Sequence, residues 1–119
     1  MTRSVLVVDD DPGFRALAAR LLAASGLTVI GEAGSVSAAL SAVGRLKPSG
    51  VLVDIHLPDG DGITLARELA ALPWRPRVVL TSIGGDIVTA GNARRAGATG
   101  FVNKIDLASA PLAELLGGE

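Results

Sequence analysis

A chain of 119 residues with 11 Lys+Arg against 12 Asp+Glu has the length of one domain and lacks the basic excess that a phosphate-backbone binder needs. Aromatics at 3% offer no stacking surface for single strands, and the absence of cysteine excludes disulfides, thiolate metal sites and thiol catalysis. No apolar stretch approaches the roughly 18–20 residues of a membrane span and no signal peptide opens the chain, so the reading is a soluble, cytoplasmic protein with no membrane partner and, by this domain alone, no nucleic-acid partner.

In chain order, Val5-Leu6-Val7-Val8 reads as a buried strand, too short and too β-branched for a helix. Asp11-Pro12 supplies an N-cap and a first helical residue, and Phe14, Leu17, Ala18 and Leu21 repeat at helical spacing until Gly26 stops the helix. Leu27-Thr28-Val29-Ile30 is the second strand. Ser35 caps a second helix that carries Val36, Ala39, Leu40 and Val43. Val51-Leu52-Val53 is the third strand, followed by a helix built on Leu65, Leu69 and Leu72, with Trp74 in the turn before the fourth strand Val78-Val79-Leu80. That turn belongs to the far end of the sheet from the strands' carboxyl ends. A weakly amphipathic helix is predicted over about 86–96, stopped by Gly97, and precedes the fifth strand Gly100-Phe101-Val102. Leu112, Leu115 and Leu116 make the last helix, which ends at Gly117-Gly118. Strict alternation over five units demands a parallel sheet with helices on both faces, the doubly wound α/β architecture.

Six of the twelve acidic residues lie in two clusters, Asp9-Asp10-Asp11 and Asp54 with Asp59 and Asp61, each beginning where an apolar strand stops. Ligands of open α/β sheets bind outside the carboxyl ends of the strands, and Asp9, Asp10 and Asp54 converge there if the first and third strands are neighbours. Carboxylates at such spacing repel one another unless a cation or proton compensates, and an all-oxygen donor set favours Mg²⁺. Thr81 and Lys104 close the fourth and fifth strands and bring a hydroxyl and an ammonium to the same crevice. A carboxylate nucleophile, a divalent metal, a hydroxyl donor and a fixed cation are together what phosphoryl transfer needs.

The runs Val-Leu-Val-Val-Asp9-Asp10-Asp11-Pro, Val-Leu-Val-Asp54-Ile-His-Leu-Pro-Asp-Gly-Asp-Gly62, Leu80-Thr81-Ser82 and Gly100-Phe101-Val-Asn-Lys104, in this order, resemble the receiver domain of a two-component response regulator over about residues 3–116. Val29-Ile30-Gly31-Glu32-Ala33 and Leu57-Pro58-Asp59 resemble its nitrate-regulator/LuxR-type subfamily. The resemblance implies a flavodoxin-like sheet of order 2-1-3-4-5. It implies that Asp54 accepts a phosphoryl group from a sensor histidine kinase, with Asp10 and Asp54 holding Mg²⁺ directly, Asp9 through water and His56 through its backbone carbonyl. Thr81 would bond a phosphoryl oxygen, Lys104 would pair with the phosphoryl group, and Thr81 and Phe101 would form the switch. The protein would not be an enzyme, although it would catalyse its own phosphorylation and dephosphorylation.

Residues 1–119 are then a single receiver domain without an effector domain, excised or stand-alone, expected to form a homodimer when phosphorylated through the face of the fourth helix, fifth strand and fifth helix. Arg94-Arg95 are either a solvated pair or part of that face. The output is expected to be transcription, through a DNA-binding domain outside this chain. Relatives commonly follow the lysine with a cis-bonded proline. Here Ile105 follows, so a trans bond is expected, with Asp106 capping the last helix. Two other readings stand beside this one. A receiver-like module that works without phosphorylation would typically lack one of these site residues, and a small phosphohydrolase would need an Asp where His56 stands.

Overall fold

The computed structural model describes residues 3–83 and 90–118. Five strands, β1 (Ser4–Val8), β2 (Thr28–Ala33), β3 (Gly50–Asp54), β4 (Arg77–Ser82) and β5 (Gly100–Asn103), form one parallel sheet in the order 2-1-3-4-5. They alternate with α1 (Pro12–Ala24), α2 (Val36–Leu46), α3 (Gly62–Ala70), α4 (Ala90–Arg95) and α5 (Leu112–Gly117). Residues 86–89 of the expected fourth helix lie outside the described residues.

Side chains alternate across each strand, and both faces are covered, so the sheet divides the interior into two cores. Leu6, Val8, Val51, Val53, Val78 and Leu80 point to the face covered by α2, α3 and α4, where Ala39, Val43, Leu65, Leu69 and Ala93 meet them. Val5, Val7, Leu52 and Val79 point to the other face, against Ala18 and Leu22 of α1 and Leu112 and Leu116 of α5. This is why the strands read as unbroken apolar runs and not as alternating ones.

The expected punctuation is present. Asp11 caps α1 by accepting from the Gly13 N–H at 2.9 Å, and Ser35 caps α2 through the Ala38 N–H at 3.1 Å. Gly26 and Gly97 take left-handed φ values of 85° and 89° where their helices end. Trp74 donates its indole N–H to the Pro48 carbonyl at 2.9 Å, at the amino end of β3 and away from the strands' carboxyl ends.

Two local features depart from the sequence reading. A short antiparallel pairing of His56–Leu57 with Gly60–Asp61 tightens the loop after β3. A 3₁₀ helix over Lys104–Ser109 follows β5, capped by the Asn103 side chain, which accepts from the Ile105 N–H at 3.3 Å. The Lys104–Ile105 bond is trans, as are all peptide bonds among the described residues. Asp106 does not cap α5: it sits in the first turn of the 3₁₀ helix, and α5 begins after Pro111 with no side-chain cap. The intervening 3₁₀ turns carry Asp106 out of reach of the free N–H groups of α5.

Candidate functional site

The register of the sheet assembles the site. Val8 pairs with Val53 and Asp54 pairs with Thr81, while Thr81 also pairs with Val102, two residues before Lys104. Asp9, Asp54, Thr81 and Lys104 therefore stand side by side along the carboxyl edge of the four strands β1, β3, β4 and β5. Asp9 and Asp54 are buried, only 1% and 5% exposed, whereas Asp10 is open to solvent.

Each carboxylate of the trio Asp9, Asp10 and Asp54 presents one oxygen within 4.8 Å of the others. The Lys104 ammonium lies 2.7 Å from Asp9 Oδ2 and 3.4 Å from Asp54 Oδ2. Asp9 Oδ1 accepts from the Asp11 N–H at 2.9 Å, which bends the chain into α1. Asp54 Oδ1 accepts from the His56 N–H at 3.3 Å, turning the loop so that the His56 side chain is exposed. The buried Thr81 hydroxyl donates to the Val53 carbonyl at 3.4 Å, beside Asp54. Phe101, the residue of β5 paired with Leu80, is half-buried and packs on the core beneath α4.

Electrostatics follow from this crowding. Burial, and then the charge of Asp9, push the Asp54 carboxyl above its ordinary 3.8, against the opposing pull of Lys104 and the His56 N–H. Burial acts downward on Lys104, but Asp9 and Asp54 together outweigh it and hold the ammonium above its ordinary 10.5. Three carboxylates against one ammonium leave the crevice short of two positive charges. Asp9 Oδ2 is buried, and the ammonium that compensates it at 2.7 Å also faces Asp54. An all-oxygen set of three carboxylates with that deficit fits a hard divalent cation.

The remaining acidic residues separate from this trio. Asp61 caps α3 through the Ile63 N–H at 2.8 Å. Asp59 reaches across to α2, where its two oxygens accept from the Val36 and Ser37 N–H groups at 2.7 and 3.0 Å. It thereby ties the loop that follows Asp54 to a neighbouring helix. Those bonds, from Ser37 foremost and then Val36, hold the Asp59 carboxyl below its ordinary 3.8. A depressed folded-state pKa means that the stabilisation is present above the unfolded value and lost as pH falls through the folded one. Asp59→Ala is accordingly expected to lower the urea midpoint near neutral pH, with the two curves converging as pH falls through the depressed folded-state value. A gap that stays constant below that value would exclude the cap as its source.

Two residues that the sequence did not assign to the site also shape it. Arg15 donates from Nη1 to the Asp9 carbonyl at 2.6 Å and from Nε to Glu32 at 2.9 Å, pinning the β1–α1 turn to the end of β2. Phe14 sets its ring 4.3 Å from the Lys104 ammonium. In sequence Phe14 counts as one more apolar position of α1, and Arg15 as a solvated charge beside it.

The sequence matches the family described as response regulator receiver domain over residues 5–111. It is 39% identical over 105 residues to the DNA-binding transcriptional activator DevR/DosR of Mycobacterium tuberculosis, covering 87% of this chain and 48% of that protein. Among solved structures it is similar to a two-component response regulator of the LuxR family from Aurantimonas sp. SI85-9A1, at 26% identity and a TM-score of 0.80, covering 100% of this chain and 88% of the other. It is also similar to a response regulator protein from Burkholderia pseudomallei with a phosphorylated aspartic acid, calcium ion and citrate, at 30% identity and a TM-score of 0.81, over 95% of this chain and 66% of that one. The chain spans about half the length of DevR/DosR and of several other curated relatives, and as little as 28% of one.

Proposed function

Because this chain belongs to the response regulator receiver domain family, we propose that it receives a phosphoryl group on Asp54 from a phosphohistidine of a sensor histidine kinase, with Mg²⁺ held by Asp9, Asp10, Asp54 and the His56 carbonyl. The observation that carries this reading is the buried Asp54 carboxylate within 3.4 Å of the Lys104 ammonium, beside Asp9 and Asp10 and register-paired with Thr81. The carboxylate oxygen of Asp54 attacks phosphorus. A P–O bond forms as the donor's P–N bond breaks, and the leaving imidazole takes up a proton. Mg²⁺, when bound, supplies charge neutralisation at the phosphoryl oxygens. Lys104 neutralises a further phosphoryl oxygen, and the Thr81 hydroxyl turns from the Val53 carbonyl to donate to another. Hydrolysis by water returns the Asp54 carboxylate and inorganic phosphate, so the chain turns over its own modification and no external substrate.

The output follows from the surface. In this reading a movement of Thr81 carries to Phe101, whose partner across β4 and β5 is Leu80, the residue before Thr81, and so to the face of α4, β5 and α5, α4 of which carries the exposed Arg94 and Arg95. We propose that this face pairs two phosphorylated copies and controls transcription through a DNA-binding domain outside residues 1–119, in the cytoplasm. Among the described residues no helix is long and apolar enough to cross a membrane.

Treatment with acetyl phosphate and Mg²⁺ is expected to add one acid-stable, base-labile phosphoryl group, seen by intact mass. Asp10→Asn should raise the Mg²⁺ concentration for half-maximal labelling by about tenfold or more. No adduct on the wild-type protein, or labelling indifferent to chelation of Mg²⁺, would overturn the proposal.

A further inference from the structure

The ammonium of Lys104 has three partners, and one of them is not a carboxylate. Asp9 Oδ2 lies at 2.7 Å, Asp54 Oδ2 at 3.4 Å and the centre of the Phe14 ring at 4.3 Å. The lysine side chain is only 16% exposed, so the ring meets a largely desolvated cation, the condition in which an aromatic face attracts it most. Local structure brings the ring there. Asp11 caps α1, Pro12 opens it and Phe14 is its third residue, while the body of Phe14 packs on the core shared with α5.

The loop that carries the lysine is anchored three residues on, at the buried Leu107, while the residue next to the lysine packs on nothing. Ile105, the next residue, is 86% exposed, and the 3₁₀ helix begins at Lys104 itself. The ammonium rests closer to Asp9 than to Asp54, and Asp9 also belongs to the carboxylate trio whose oxygens are placed to hold a divalent cation. The two cations therefore compete for one carboxylate. A phenyl face does not compete for a strongly hydrated divalent ion, yet it does attract an ammonium.

We propose that Phe14 is a positioning residue for phosphoryl transfer: its ring keeps the Lys104 ammonium beside Asp54 when a divalent cation takes over Asp9. This rests on the reading of Asp54 as phosphoacceptor. The ring touches neither the phosphoryl group nor the metal and acts through Lys104.

The test separates ring from bulk. In Phe14→Leu an apolar side chain still packs on the core, whereas Phe14→Tyr keeps the aromatic face. In the wild-type protein the ε-methylene protons of Lys104 should be shifted upfield by the ring current, with Mg²⁺ absent and present. Phe14→Tyr should retain that shift and Phe14→Leu should lose it. Labelling of Asp54 by acetyl phosphate at saturating Mg²⁺ should slow by about tenfold in Phe14→Leu and stay within about twofold in Phe14→Tyr. Lys104→Ala should remove the difference between the ring-bearing and ringless backgrounds. Thermal melts of each variant establish that it is folded, and the ring-current measurement on the wild type stands even if Phe14→Leu does not fold. Absence of the upfield shift in the wild type, its loss on adding Mg²⁺, or equal rates in the folded Leu and Tyr variants would overturn the inference. A wild-type protein that shows the shift but takes no phosphoryl group would instead refute the phosphoacceptor reading and leave the Phe14–Lys104 contact standing.

Discussion

Asp54→Asn is expected to abolish phosphoryl labelling and, at the same time, to make the protein more stable. The first effect follows because an amide cannot form an acyl phosphate, and because the neighbouring carboxylates are otherwise engaged. Asp9 accepts from the Asp11 N–H and pairs with Lys104, while Asp10 is exposed to solvent. The second follows from the sign of the linkage. Burial and Asp9 raise the Asp54 pKa, so the folded state binds its proton more tightly than the unfolded state does, and stability falls as pH rises through that range. At neutral pH the ionised group is thus a net cost, which the neutral asparagine removes. The expected result is a higher melting temperature for the variant than for the wild type at neutral pH. Intact mass and a thermal melt on the same sample measure both effects. Undiminished labelling of the variant would move the acceptor elsewhere, and a lower melting temperature would mean that Asp54 is better compensated by Lys104 than its surroundings imply.

Gly62→Ala is expected to be among the most damaging single-methyl additions in the chain. A Cβ at this position would lie 2.2 Å from the Asp54 carbonyl oxygen and 2.8 Å from the Ile55 Cα, both of them backbone atoms that cannot rotate away. The Gly62 N–H donates to the Ile55 carbonyl at 2.8 Å, so the two segments cannot separate without breaking that bond. The clash falls on the residue that carries the acceptor carboxylate. Relief requires α3 to retreat from the end of β3, at about 3 kcal/mol or more, and the same retreat should displace Asp54 and weaken Mg²⁺ binding. Gly44→Ala serves as the control. It lies within α2 with nothing inside 4 Å of the added atom, and the exchange should stabilise by about 0.5–1 kcal/mol. Urea titrations of the two variants should therefore shift in opposite directions. A Gly62→Ala protein within about 1 kcal/mol of wild type would show that the β3–α3 junction yields more readily than its backbone contacts indicate.

What the sequence alone determined was most of what repeats or punctuates locally, the expected Asp106 cap excepted. The five apolar runs, the helical spacing between them and the caps at Asp11 and Ser35 all appear in the structure, because period and capping depend on neighbours a few residues away. The ends of the strands were legible too, and with them the placement of Asp9, Asp54, Thr81 and Lys104 on one edge. Sequence brought Asp9, Asp10 and Asp54 together, as the structure does, but it did not show which N–H groups the other acidic residues would face. Asp59 and Asp61 belong to the same run as Asp54, yet one caps α2 and the other α3, and only the folded loop decides which N–H groups they face. Nor did it show the 3₁₀ helix that carries Asp106 away from α5, the ring of Phe14 on Lys104, or Arg15 between Asp9 and Glu32. The Asp59 cap on α2, the Phe14–Lys104 contact and the Arg15–Glu32 pair are set where elements far apart in the chain meet at the carboxyl end of the sheet. Crossover geometry and strand register choose those partners, and no local periodicity encodes them.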